Sequence, residues 1–199
     1  MDLTKVITTK RIETLSIIVF SIIALLRGEI TVFYMLYLFW WQSFIHVFVN
    51  IGKAITQKSS QTFPPGLWHY IGSNIFLLFI YVIFIIVLFG FVLNFKNKDL
   101  ILINFEVLFF NNWSFNLNLI IIFVSSLFTI KYKPEVINSS MGGFSRKNII
   151  LHVSIIMGVF IQFLILIKFD TVFTDDNLWG SILVITPFLL LRAIFDKAV

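Results

Sequence analysis

The chain has no cysteine among its 199 residues. That excludes a disulfide, a thiolate metal site and a cysteine nucleophile. Charge is also scarce: Asp, Glu, Lys and Arg make up 13% of the residues, about half the share of an ordinary soluble domain. His69 to Leu93 carries no charged side chain over its whole length. No Asp or Glu is expected at mid-membrane in any of the long apolar runs. This argues against a carboxylate-based proton pump.

What fills the space is hydrocarbon. Apolar residues are 59% and aromatic residues 18% of the chain, with a mean hydropathy of +0.98. A water-soluble fold of this size could not bury so much Ile, Leu and Phe. The composition implies an all-α, polytopic membrane protein, a single bundle whose partner is the lipid bilayer. About six transmembrane helices are expected, near residues 12–27, 30–52, 69–93, 113–130, 148–169 and 178–195. Arg27-Gly28-Glu29 makes a tight hairpin between the first two. Residues 100–110 are apolar but too short to cross a core of about 30 Å as a helix, and read as an interfacial or re-entrant segment. A carrier built on inverted repeats would need a discontinuous helix or two similar halves, and neither is visible in the sequence.

The formal net charge of +5 comes from Lys and Arg lying almost wholly between the apolar runs. Basic loops set topology and touch anionic lipid, so nucleic acid is not an expected partner. Eleven basic residues flank one side of the bundle and four the other. Positive charge stays inside, which puts both termini in the cytoplasm of a cell (inner) membrane, with Asp170, Asp175 and Asp176 outside.

The organising stretch is Thr31 to Lys53. At about 100° per residue, Gln42, His46, Asn50 and Lys53 fall on one narrow stripe of an otherwise apolar helix. Polar groups within a membrane are costly and face the protein interior, so this helix should turn its stripe inward and its back to lipid. Orientation then places three histidines at similar depth: His46 near the end of the second span, His69 opening the third, His152 one turn into the fifth. With Gln42, Ser43, Asn50 and Asp196 they define a candidate polar cluster near the cytoplasmic face. Three neutral imidazoles could hold a divalent metal with a bound water, although no two have the spacing of a metal motif. Otherwise no cofactor is expected. Hydrogen bonding between helices explains the same residues without any site. Ser154 and Gly158 have the small-xxx-small spacing of close helix packing. No G-x-S-x-G context surrounds Ser145.

Several short elements carry a resemblance: Trp40-Trp41-Gln42-Ser43 through Asn50-Ile51-Gly52-Lys53, His69-Tyr70, Phe144-Ser145-Arg146, Leu151-His152-Val153-Ser154-Ile155-Ile156 with Gly158, and Leu190-Leu191-Arg192 to Phe195-Asp196. Together the sequence resembles an uncharacterised prokaryotic family of multi-span membrane proteins, a domain of unknown function. That family tends to have Glu where Gln42 stands, His where Leu77 stands, and Ser-His where Ser125-Ser126 stands. The resemblance implies the helical bundle and an inward-facing stripe. It implies no activity, and three contributors to any metal or proton site are missing here. Two functions follow as expectations: a non-enzymatic assembly partner or small-solute carrier, or an intramembrane enzyme or metal-binding protein using the three histidines.

Overall fold

The computed structural model describes residues 3–56, 67–95, 97–132, 146–168 and 186–191. The described chain is all-helical. The elements are α1 (Leu3–Leu26), α2 (Val32–Thr56), α3 (Leu67–Phe84), α4 (Lys98–Leu108), α5 (Trp113–Tyr132) and α6 (Arg146–Lys168), with a last helical stretch over 186–191. Among the described residues three stretches are long and apolar enough to cross a membrane: Val32–Gly52, Trp68–Asn94 and Lys98–Phe128. The expected count of six is thus not reached on length and composition. The apolar parts of α1 and α6, Ile12–Leu26 and Asn148–Leu164, are shorter, and the last expected span lies mostly outside the described residues.

Tight turns end two of the helices in the same way. Gly28 takes φ +70° after α1, and its N–H and that of Glu29 bond back to the carbonyls of Leu25 and Ala24. This is a Schellman end, where glycine meets no side-chain penalty. Phe110 repeats it after α4 at φ 59°, with Phe110 and Asn111 bonding back to Val107 and Glu106. A phenylalanine there costs about 1 kcal/mol or more in backbone strain. Its ring contacts Trp41 and Phe115, an aromatic packing that offsets the cost. The turn separates α4 from α5, so Lys98–Phe128 is not one continuous helix. Asn112 then caps α5 by accepting from the Phe115 N–H, and donates to Glu29. Glu29 also pairs with Arg27, so the two turns are tied to each other.

α2 is the axis of the bundle. Every residue from Ile30 to Trp40 is buried. Phe33 and Trp40 face α3 and its continuation, Trp40 donating its indole N–H to the Leu78 carbonyl at 2.7 Å. Leu36 lies by Gly158 of α6. Tyr34 and Tyr37 meet Phe115 of α5. Met35 and Gln42 meet Ser21 and Glu13 of α1. Phe39 meets Phe188. Neighbours thus surround this half of the helix, α4 among them, and the expectation that its back faces lipid is wrong here. The outer faces of α1, α3, α5 and α6 are the apolar ones instead. They expose large apolar side chains such as Leu15, Phe76, Phe79, Phe123, Phe160 and Phe163, as helices compatible with a membrane do.

The apolar run after Leu67 is not a regular helix. α3 widens into a π-helix over Ile85–Phe91 and tightens into a 3-10 turn over Val92–Asn94. Such departures release backbone carbonyls, which must find donors away from water. The Phe89 carbonyl accepts from Asn94 Nδ2 at 2.6 Å and from Asn104 Nδ2 at 3.2 Å. Asn104 Oδ1 in turn accepts from the Thr31 hydroxyl at 2.7 Å. α4 is therefore held on the bundle by a buried asparagine that serves the irregular helix.

Candidate functional site

The interior polar groups begin at Glu13. Residue by residue it is an unremarked break in an apolar run. α1, however, starts at Leu3, so Glu13 stands near its middle, about 20 Å along the helix from the turn at Leu26. Its side chain is buried. Gln42 of α2 donates to Glu13 Oε1 at 2.7 Å. The hydroxyl of Ser125 on α5 donates to Glu13 Oε2. One carboxylate thus joins three helices. Glu13 stands at the start of the apolar part of α1, Ile12–Leu26, yet its carboxyl lies in the interior of the bundle. The helix itself continues towards the N-terminus through the polar residues before Ile12.

Gln42 and Ser125, one from α2 and one from α5, are the residues that meet on Glu13. Nothing in the sequence links these three residues, because their helices are far apart along the chain. The available signal was weaker: a lone acid in an apolar run, in a protein with a second helix carrying a polar stripe.

Along α2 the stripe continues by one turn at a time. His46 is buried, and its Nδ1 lies 3.1 Å from Asn50 Nδ2. With the amide nitrogen as donor, Nδ1 is the acceptor of this pair. Asn50 and Ser43 are buried too. Gln42, His46 and Asn50 are spaced four residues apart and stand one above another. With Glu13 and Ser125 they make a file of polar groups running from mid-bundle towards the end of α2. The Lys53 side chain and Asp196 lie outside what the structure describes.

The other two histidines stand elsewhere. His69 is exposed at the start of α3. His152 is exposed on α6, with its Nδ1 2.8 Å from the Tyr81 hydroxyl of α3. The structure therefore does not bring the three imidazoles together, and among the described residues no three His, Asp or Glu side chains stand close enough to hold a metal ion. Equal depth is not proximity: the three rings leave their helices in different directions around the bundle.

α3 and α6 are clasped at two levels. Asn148 Nδ2 donates to Asn74 Oδ1 at 2.7 Å, and Gln162 Nε2 donates to Asn94 Oδ1 at 3.1 Å. Midway, Gly158 lets α6 approach α2. A Cβ at that position would lie 3.1 Å from the Phe89 ring and 3.2 Å from Leu36. Its neighbour one turn back, Ser154, is fully buried and its hydroxyl has no hydrogen-bond partner.

No curated protein and no solved structure shows a significant match to the chain. A family model, described as a family of unknown function (DUF6498), matches residues 6–199. It covers the whole of the arrangement above, from Glu13 to the last helical stretch, and the chain belongs to that family.

Proposed function

We propose that the chain is a multi-pass protein of the cell (inner) membrane, with six spans and both termini in the cytoplasm, acting as a small-solute carrier rather than an enzyme. The observation that carries this reading is the buried Glu13 carboxylate, held near mid-bundle by Gln42 and Ser125 from two other helices. Ionisable groups inside a membrane bundle are expensive, and they mark solute or ion pathways. Six spans follow when α1, α6 and residues 178–195 are added to α2, α3 and α5. α4, at eleven residues or about 16 Å, then lies at the interface or dips into it.

The solute path is the file Glu13, Gln42, Ser43, His46 and Asn50, opening towards the cytoplasm, where His69 and Asp196 stand at the ends of their spans. Carboxylate and amide oxygens suit a cationic or proton-donating solute. The alternative, a metal-binding or intramembrane enzyme on three histidines, needs three imidazoles around one point. Their separate surroundings favour the carrier.

A solute path must be wet, whereas polar groups that only hold helices together are dry. The absence of native cysteine makes this directly measurable. Single cysteines at Ser43, Asn50 and Leu36 are to be treated with a charged, water-soluble thiol reagent in inside-out vesicles. Ser43→Cys and Asn50→Cys should react at rates near that of a loop cysteine, and the core control Leu36→Cys should not. Equal inertness at all three sites would show a dry structural core and end the carrier reading.

A further inference from the structure

The two clasps between α3 and α6 enclose unequal lengths of chain. From Asn74 to Asn94 there are twenty residue steps, and from Asn148 to Gln162 there are fourteen. At 1.5 Å per residue these are about 30 Å and 21 Å of helix. The longer path departs from the regular helix between its clasps, widening into the π-helix over Ile85–Phe91 and tightening into the 3-10 turn after it. Between the clasps the helices part and leave a groove of about 530 Å³, a size typical of small-molecule sites. Its walls are Tyr81 and Phe84 from α3 and His152, Ile156, Val159 and Phe160 from α6.

Two features of this groove call for an occupant. Its apolar walls open sideways on the outer surface of the bundle, with Phe84, Ile156, Val159 and Phe160 exposed. Residues 186–191 are not among its walls: Phe188 instead meets Phe39 of α2. The other feature is polar. The Tyr81–His152 pair is set in the apolar wall, and only one nitrogen of the exposed His152 ring is used by Tyr81. A polar atom left facing hydrocarbon costs several kcal/mol. At the lower clasp end, Arg146 and Lys147 occupy the first two positions of α6, and Trp68 is exposed at the start of α3. Basic residues and tryptophan mark the headgroup level. His152 lies six residues above Arg146, about 9 Å by helix rise. That is the depth at which headgroup gives way to hydrocarbon.

We infer that the groove holds one anionic phospholipid of the surrounding leaflet. Its headgroup phosphate lies at the level of Arg146 and Lys147. Its ester region meets His152 and Tyr81, and one acyl chain runs up the groove past Ile156, Val159 and Phe160. Hydrocarbon fills the space that the two helices leave open between their clasps. Basic residues at that level of the helix attract negatively charged headgroups. This inference rests on the chain lying in a bilayer, but not on any transport by the interior file.

Native mass spectrometry of the full chain, released from detergent micelles, tests it with two probes of matched acyl chains, phosphatidylglycerol and phosphatidylcholine. One phosphatidylglycerol should be retained per chain at concentrations about tenfold below those needed for phosphatidylcholine. Val159→Trp should fill the groove and abolish retention. His152→Ala should weaken it severalfold while leaving the elution volume on size exclusion unchanged. Equal retention of the two lipids, or none of either by the unmodified chain, would overturn the proposal whatever the variants do. Undiminished retention by a folded Val159→Trp would move the lipid to another surface. Solubility of the unmodified chain without detergent is the separate outcome that would remove the membrane reading itself.

Discussion

Glu13 and Ser125 lie 112 residues apart in the chain and share a hydrogen bond in the interior of the bundle. With Gln42 on the other carboxylate oxygen, that contact ties α1 to both α2 and α5. A hydrogen bond to a charged group contributes about 1.5–3 kcal/mol, and leaving its partners unpaired costs more than the bond is worth. Glu13→Ala should therefore lower thermal stability in detergent, by about 2 kcal/mol. Glu13→Gln, which can still accept from Gln42 and donate to Ser125, should cost less. Circular dichroism melting of the two variants checks the order. An alanine variant as stable as the parent would mean that the carboxylate does not join these helices.

Gly158 makes a sharper steric prediction. The Phe89 ring and Leu36 already stand at the limit of contact with a hypothetical Cβ. Gly158→Val should force α6 away from α2 and cost up to about 3 kcal/mol, the range of overpacked cores. Gly90→Ala is the control, because its Cβ would meet only the Phe33 ring, at an ordinary 3.5 Å. Comparable melting temperatures for the two variants would contradict the close approach at Gly158.

Ser154→Ala should stabilise. The hydroxyl is fully buried and has no partner, so its removal relieves a desolvation cost of about 1 kcal/mol and leaves a methyl group of nearly the same size. Thermal melting of this variant beside Ser154→Thr separates packing from polarity. A loss of stability in Ser154→Ala would reveal a hydrogen bond that the helix needs.

Topology is open to a labelling experiment on residues outside those the structure describes. The basic residues divide eleven to four, so a cysteine at Asp175 should react with an impermeant thiol reagent added to intact cells. One at Ser59 should react only after permeabilisation. The reverse pattern would invert the bundle and place the open end of the polar file outside.

Much was legible in the sequence because it depends on local chemistry. Composition alone requires a helical protein that hides its backbone polar groups within each segment. Gly28 between two apolar runs marks a left-handed helix end, and φ +70° is found there. The spacing of Gln42, His46 and Asn50 sets them on one face of α2. That places them in the interior, because one face of a helix moves as a unit. Ser154 and Gly158 announce a close approach by their size.

The rest depends on direction around the bundle, which no single segment records. Depth along a helix follows from residue number, so His46, His69 and His152 read as neighbours. Only the packing shows that His46 turns to Asn50, His152 to Tyr81 and His69 outward. Glu13 reads as the edge of a span until Gln42 and Ser125 are seen to close on it. Phe110 takes a glycine's conformation because Trp41 and Phe115 receive its ring. α3 departs from the regular helix where Asn94 and Asn104 are in reach to take up the released carbonyls. The sequence by itself determined which groups must avoid hydrocarbon. The tertiary structure decided which of them avoid it together, because hydrogen bonds require donor and acceptor to meet from separate helices, and that meeting is set by packing.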